Sequence, residues 1–217
     1  MRTRGLLVAM LIAASAVAGT GVAKYAGEFI SLGVGGRALG MGGAFVALAN
    51  DVTAGYWNPA GLSHIYYPQF TLMHDEQFGS LVNYDYGAVA IPFGASTSLG
   101  FSVIRLGVDD IPNTQNAGVD INNNLTYDPN LWTRVDPDRV TYFNAADWAF
   151  YFTYSKKQSD DFSYGANVKI IRRELGDASA TGIGLDVGVW YTPFENVQLG
   201  ANLQDVTTTF LAWSTGR

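Results

Sequence analysis

The chain has 217 residues, no cysteine and a formal net charge of −6, with only 13 Lys and Arg. Without thiols it can build no disulfide scaffold, thiol nucleophile or thiolate metal site, and it offers no basic face for nucleic acid. Charged residues make up 15% and aromatics 13% of the chain. That charge content is low against the ~25% usual in soluble domains, and it points to strands that are apolar on one side and face lipid, as in a β-barrel.

Residues 1–23 have the layout of a secretory signal peptide. Arg2 and Arg4 open it, and the apolar run Leu6–Ala18 spans 13 residues, too short for a bilayer-crossing helix. Ala16-Val17-Ala18 and Gly21-Val22-Ala23 are both plausible cleavage sites. Residues 24–66 form a Gly- and Ala-rich, nearly uncharged segment that reads as a plug packed inside something larger. Gly36, Gly40, Gly42 and Gly43 are expected to let it approach a wall closely. Ala38–Ala49 reads as a short buried helix ended by Asn50-Asp51. Trp57, Asn58 and Pro59 then make a tight turn, with proline fixing φ and asparagine bonding locally. The Gly33–Gly43 region is not a dinucleotide fingerprint: its register is not G-x-G-x-x-G and no strand precedes it.

From Pro68 onward the hydrophobic period is two. Strands are expected near Pro68–His74, Leu81–Pro92, Thr97–Leu106, Ala146–Ser155, Phe162–Arg173, Gly182–Thr192 and Val197–Gln204. In the fourth, Trp148, Phe150, Phe152 and Tyr154 alternate with Asp147, Ala149, Tyr151 and Thr153. A soluble β-sandwich would alternate too, but its polar face would carry more Lys and Glu. Here that face is Gly, Ser, Asn and Thr, which suits a confined lumen. Short turns at Pro92–Ser96, Lys157–Asp161 and Pro193–Asn196 alternate with longer connections at Leu106–Asn144 and Glu174–Thr181, the outer-membrane arrangement. Tyr66, Tyr67, Tyr142, Phe143, Trp148, Tyr191, Phe194 and Trp213 fall near strand ends, as interfacial girdles do. Residues 67–217 thus read as the N-terminal part of an all-β, antiparallel, transmembrane outer-membrane β-barrel of about seven strands, carrying an N-terminal helical plug.

Four charges fall on the inferred lumen face: Asp147, Lys169, Arg173 and Asp186. They could pair with each other or with the plug, or line a path, and pairing is the expected state. The run beginning Asp120-Ile121-Asn122 opens like a calcium loop, but Leu125 stands where Gly is required and Leu131 where Glu is expected. His64 and His74 lack a carboxylate-rich partner pattern, and no nucleophile motif is present. No catalytic residue, cofactor or metal site is expected, and the chain reads as a non-enzyme.

Seven strands do not close a bacterial barrel, and an open edge in lipid is unsatisfied. The expectation is therefore a protein that continues beyond Arg217, past the polar tail Ser214–Arg217. Closure by oligomerisation is the alternative.

The segments EFISLGVGGRALGMGGAFVALANDVTAGYWNPAGL at 28–62, LGVDDIPNT at 106–114, ADWAFYFTYSKK at 146–157, YGANVKIIRREL at 164–175, GIGLDVGVWYTPF at 182–194 and LGANLQDVTTTFLAW at 199–213 together resemble the PorV/PorQ family. These are outer-membrane barrels distantly related to FadL-type long-chain fatty-acid transporters. The resemblance covers nearly all of the chain after the signal. It implies a barrel of about fourteen strands, a lumenal plug, a location in the outer membrane of a Gram-negative-type cell, and longer family members with further strands after the last segment. It also implies a role in protein export of the type IX secretion kind, with membrane lipid, secreted cargo proteins and a surface sortase-like protease as partners. The alternative it leaves open is a FadL-like transporter for long-chain fatty acids or other hydrophobic small molecules.

Overall fold

Strict two-residue alternation builds one continuous antiparallel sheet, because every strand has a face that must be covered and a face that need not be. The computed structural model describes residues 27–122, 124–126, 128–206 and 210–215, with the side chains of 129 and 210–215 outside that description. The expected signal peptide, residues 1–23, and the first three residues of the expected plug segment, 24–26, lie outside the described residues.

The strands are β1 (Gln69–Gln77), β2 (Val82–Phe93), β3 (Thr97–Asn113), β4 (Gly118–Val119), β5 (Arg134–Val135), β6 (Thr141–Lys157), β7 (Phe162–Leu175), β8 (Ala178–Phe194), β9 (Val197–Leu203) and β10 (Phe210–Thr215). The main sheet runs β1-β2-β3-β6-β7-β8, and both β9 and β10 pair with the far edge of β8. β9 lies along Val187–Phe194 and β10 along Ala178–Ile183, so the two occupy one strand position interrupted between Leu203 and Phe210. The chain is thus mostly β, an antiparallel sheet curled into a half-barrel with few helices. β4 and β5 form a separate small hairpin in the long loop.

The structure differs from the sequence reading in several places. The connection expected at Glu174–Thr181 is a two-residue turn: β7 and β8 pair up to Leu175–Ala178, and Gly176 takes φ +55° to close them. The loop expected over 107–143 contracts to 114–140. β3 and β6 continue past a register shift between Val108 and Ile111, where Asp110 sits at φ +56°. The tail read as loop contains β10 through Thr215. The helix expected over Ala38–Ala49 is only α1 (Gly36–Gly40), followed by turns, because Gly42 and Gly43 take φ +63° and +80° and end it. A second short helix, α2 (Ala54–Trp57), leads into a 3₁₀ turn at Pro59–His64.

The segment 27–66 lies across the concave face. The core joins its Phe29, Ile30, Val34, Phe45, Tyr56, Leu62 and Ile65 to Tyr84, Tyr86, Ile104, Tyr151 and Ile171 of the sheet. Glycine makes the fit possible, but not at the positions expected. Gly36, Gly40 and Gly42 face open space, and Gly43 contacts only the Trp57 ring of its own segment. The tight approach falls instead on the sheet. A β-carbon would stand 2.5 Å from the Pro59 carbonyl carbon at Gly165, 2.6 Å from the Val46 oxygen at Gly200 and 2.7 Å from Leu62 Cδ2 at Gly100.

Gly165→Ala should therefore destabilise the protein by about 1–3 kcal/mol through overpacking. Gly36→Ala, in open space within a helix, should be neutral or stabilise by up to ~1 kcal/mol. Thermal unfolding of the two variants side by side checks this ordering.

Candidate functional site: the interface between plug and wall

Asn58 organises the plug. Its backbone is extended, with φ −161° and ψ 103°, so it caps the turn that follows, and Pro59 occupies the first turn position, where no N–H is needed. The Asn58 Oδ1 accepts from the Ala60 N–H at 3.1 Å. Its Nδ2 donates to the Val46 carbonyl at 2.9 Å and to the Val189 carbonyl of β8 at 3.0 Å. One fully buried amide thus joins the turn, the preceding plug loop and the wall. Next to it, Trp57 Nε1 donates to the Val34 carbonyl at 2.9 Å. The Trp57 ring meets Tyr56 and Phe45 edge-on. Gly33, at φ +83°, would bring a β-carbon 3.3 Å from that ring. The Tyr56 hydroxyl donates to the Ile30 carbonyl at 2.5 Å.

The wall meets the plug backbone with short polar side chains. Asn167 Nδ2 donates to the Gly55 carbonyl at 2.8 Å, and Asn202 Nδ2 to the Trp57 carbonyl at 3.1 Å. Ser155 Oγ donates to the Ala60 carbonyl at 2.9 Å and accepts from the Ser63 N–H at 3.0 Å. Gln69 Oε1 accepts from the Val52 N–H at 3.0 Å. These partners satisfy plug backbone groups that no regular element pairs.

The four charges expected on the lumen face sit on the concave side as two pairs. Lys169 Nζ is 3.0 Å from Asp186 Oδ1, with the two side chains 3% and 1% exposed. Asp205, in the break between β9 and β10, brings its Oδ1 to 2.8 Å from the same ammonium and donates its N–H to Asp186 at 2.9 Å. Gly184 makes room for the lysine stem, since a β-carbon there would be 2.6 Å from Lys169 Cε. Arg173 holds Asp147 in a two-pronged bond at 2.7 and 2.6 Å. Among the described residues no ion pair joins plug to wall: the wall pairs its own charges. Asp205 is the residue the sequence reading missed. It lies just after the alternating stretch, and no periodicity marks it.

At the short-turn end, the His64 ring lies against Trp190 with centroids 4.8 Å apart, and its Nε2 is 3.3 Å from Ser163 Oγ. Burial, helped by the nearby positive Lys157, pulls the His64 imidazole below its ordinary value. In the long loop, the Asp120 carboxylate is turned onto its own loop, accepting the N–H groups of Asn122 and Asn124, both at 2.8 Å. Among the described residues there is no group of three or more His, Cys, Asp or Glu side chains that could hold a metal.

The fold and this interface define a half-barrel filled by its own N-terminal segment. No family model matches the chain, and no curated protein matches it.

Two outcomes are expected. Lys169→Met leaves Asp186 buried without its cation and should cost about 3–5 kcal/mol, while Lys169→Met/Asp186→Leu should recover much of that loss, as denaturation midpoints would reveal. The docked His64 has a lowered pKa, so the undocked state takes up the proton first. Docking should hold above the ordinary histidine value of ~6.5 and weaken as pH falls below it. Limited proteolysis of the segment 27–66 against pH measures this, and His64→Gln should flatten the profile.

Proposed function

We propose that this half-barrel is part of an outer-membrane β-barrel of the PorV/PorQ type that serves protein export at the cell surface. The observation that carries the membrane reading is the row pattern of the convex face. Register places Leu72, Gly87, Val103, Phe150, Ile170 and Ile183 side by side across six strands. The next row is Phe70, Val89, Phe101, Phe152, Val168 and Leu185. Below it lie Ile91, Leu99, Tyr154, Ala166, Val187 and Leu203. Twelve of these apolar side chains, including Phe70, Leu72, Ile91 and Ile183, are exposed, while Lys169, Asp186 and Asn167 are buried on the opposite face. Water gives no reason for that partition; a hydrocarbon surround does.

The dimensions agree. Eight residue steps separate Asp85 from Phe93 along β2, roughly 27 Å at ~3.4 Å per residue. At a barrel tilt of 35–45° this is roughly 20 Å across the membrane, near the ~25 Å apolar band of such barrels. Among the described residues no helix is long and apolar enough to cross a membrane, which says nothing of a barrel.

The export role rests on the likeness of segments 28–62 and 199–213 to the family and on the long loop 114–140 at one end. The packing of the plug onto wall glycines argues against an ion-conducting lumen. The FadL-like reading needs a ligand-sized apolar cavity. Hollows of about 480 and 580 Å³ fall within the ~300–1,000 Å³ of ligand pockets, so the preference for export rests on the segment likeness.

Deleting the gene should leave proteins with type IX signals undelivered to the surface, and the wild-type gene should restore them. Val168→Arg, which costs about 2–4 kcal/mol at a bilayer midplane, should fail to restore delivery and fail to reach the membrane fraction. Normal delivery in the deletion strain overturns the export role. A growth defect on long-chain fatty acids would favour the transporter.

A further inference from the structure

The apolar rows end abruptly toward the long-loop end. The next convex row reads His74, Asp85, Arg105, Trp148, Arg172 and Thr181. Arg105 and Arg172 are the immediate cross-strand neighbours of Trp148, one on each side. The Arg105 guanidinium lies 5.6 Å from the Trp148 ring centre, and Trp148 stacks parallel to Phe150 in the apolar row below. The indole therefore continues the apolar surface and the guanidinium crowns it.

Each arginine is steered by one carboxylate and keeps donors in reserve. Arg105 uses Nη1 to reach Asp85 Oδ2 at 3.2 Å, and Asp85 is shared with His74 Nδ1 at 2.6 Å. Arg172 uses Nε to reach Glu174 Oε1 at 2.7 Å, which leaves both of its terminal NH₂ groups outside that bond. Arg105 folds toward Gly107, where a β-carbon would meet its Nη2 at 2.6 Å, so its head points up the strand and away from the apolar rows. Two strand spacings of ~4.8 Å separate the two arginine backbones, roughly 10 Å in all. Two long side chains can span that gap and converge in front of Trp148.

We propose that Arg105 and Arg172, flanking Trp148 on the convex face, form a docking site for the phosphate of a membrane-lipid headgroup. The inference rests on the reading that this face meets a bilayer. Three observations select the occupant. The site stands at the boundary between apolar rows and the loop end, where headgroups lie. Planar guanidinium forks match phosphate oxygens, and their weak hydration suits an interface. An indole below them fits the acyl–headgroup junction. The acyl chains would run down across the successive apolar rows, past Phe150 and Phe152. Asp85 and Glu174 keep the arginines extended and paired when no phosphate is present.

The test uses the full protein purified in maltoside micelles, which contain no phosphate. Phosphatidic acid is titrated against diacylglycerol with the same chains, with thermal stability and lipid retention in native mass spectrometry as readouts. Phosphatidic acid should bind and raise the melting temperature, and diacylglycerol should do neither. Arg105→Gln/Arg172→Gln should weaken phosphatidic acid binding about tenfold or more. The exposed single change Arg172→Gln, which leaves the Arg105–Asp85 pair intact, should give an intermediate loss, and Lys156→Gln at the opposite end should give none. Equal retention of both lipids, or an unchanged double variant, overturns the site while leaving the membrane reading standing. Failure of the wild type to enter the membrane fraction of cells, with solubility in the absence of detergent, overturns both.

Discussion

A single buried amide sets the terms for the rest of the structure. Asn58 spends its Oδ1 on the turn that follows it and its Nδ2 on two carbonyls, one from the plug and one from β8. A curled sheet with a polar concave face is stabilised where the chain packed against that face supplies hydrogen-bond partners. Asn58 fixes where the plug stands, and from that position the Gly55, Trp57 and Ala60 carbonyls fall opposite Asn167, Asn202 and Ser155. Glycine at 100, 165, 188 and 200 follows from the same constraint, because plug backbone and side chains occupy the space where their β-carbons would stand. The wall's composition on this side is thus a cast of the plug.

The charges obey a different logic. Lys169, Asp186 and Asp205 lie within the wall and its strand break, as does the Arg173–Asp147 pair. Had a plug residue supplied one partner, any loosening of the plug would strand a buried charge, the costliest state available. Keeping the ions within the sheet confines plug docking to shape, apolar contact and neutral hydrogen bonds. His64, whose imidazole lies against the wall, is held toward its neutral form, which fits the same rule.

Much of this was legible in the sequence, and the limits have physical causes. Period-two alternation located the strands because burial on one face imposes it directly, and it put Asp147, Lys169, Arg173 and Asp186 on one side. Alternation cannot report where pairing continues without burial. β3 and β6 therefore run on to Asn113 and from Thr141 over residues that read as loop. Nor does it see a two-residue turn such as Gly176-Asp177, where polar residues stay paired up to the bend. In the plug, glycine was read as a sign of close packing. At Gly42 and Gly43 it instead answers a need for positive φ, and the packing glycines hide among the strands. Glycine content alone does not separate these two uses. Asp205 was invisible because its role depends on Lys169, 36 positions away in sequence.

The two faces of the sheet place unequal demands on substitution. On the concave face each residue answers to a particular atom of the plug, so volume and hydrogen-bonding capacity are fixed position by position. On the convex face, rows such as Phe70–Val89–Phe101–Phe152–Val168–Leu185 need only be apolar, since no other segment among the described residues covers them. The exception is the His74–Asp85–Arg105–Trp148–Arg172 row, whose ion pairs fix particular side chains on an otherwise permissive surface. Such an ordered row on an uncovered face is a poor investment for stability alone, because exposed ion pairs contribute little. Its placement at the limit of the apolar rows is better accounted for by what lies outside the sheet than by anything within it.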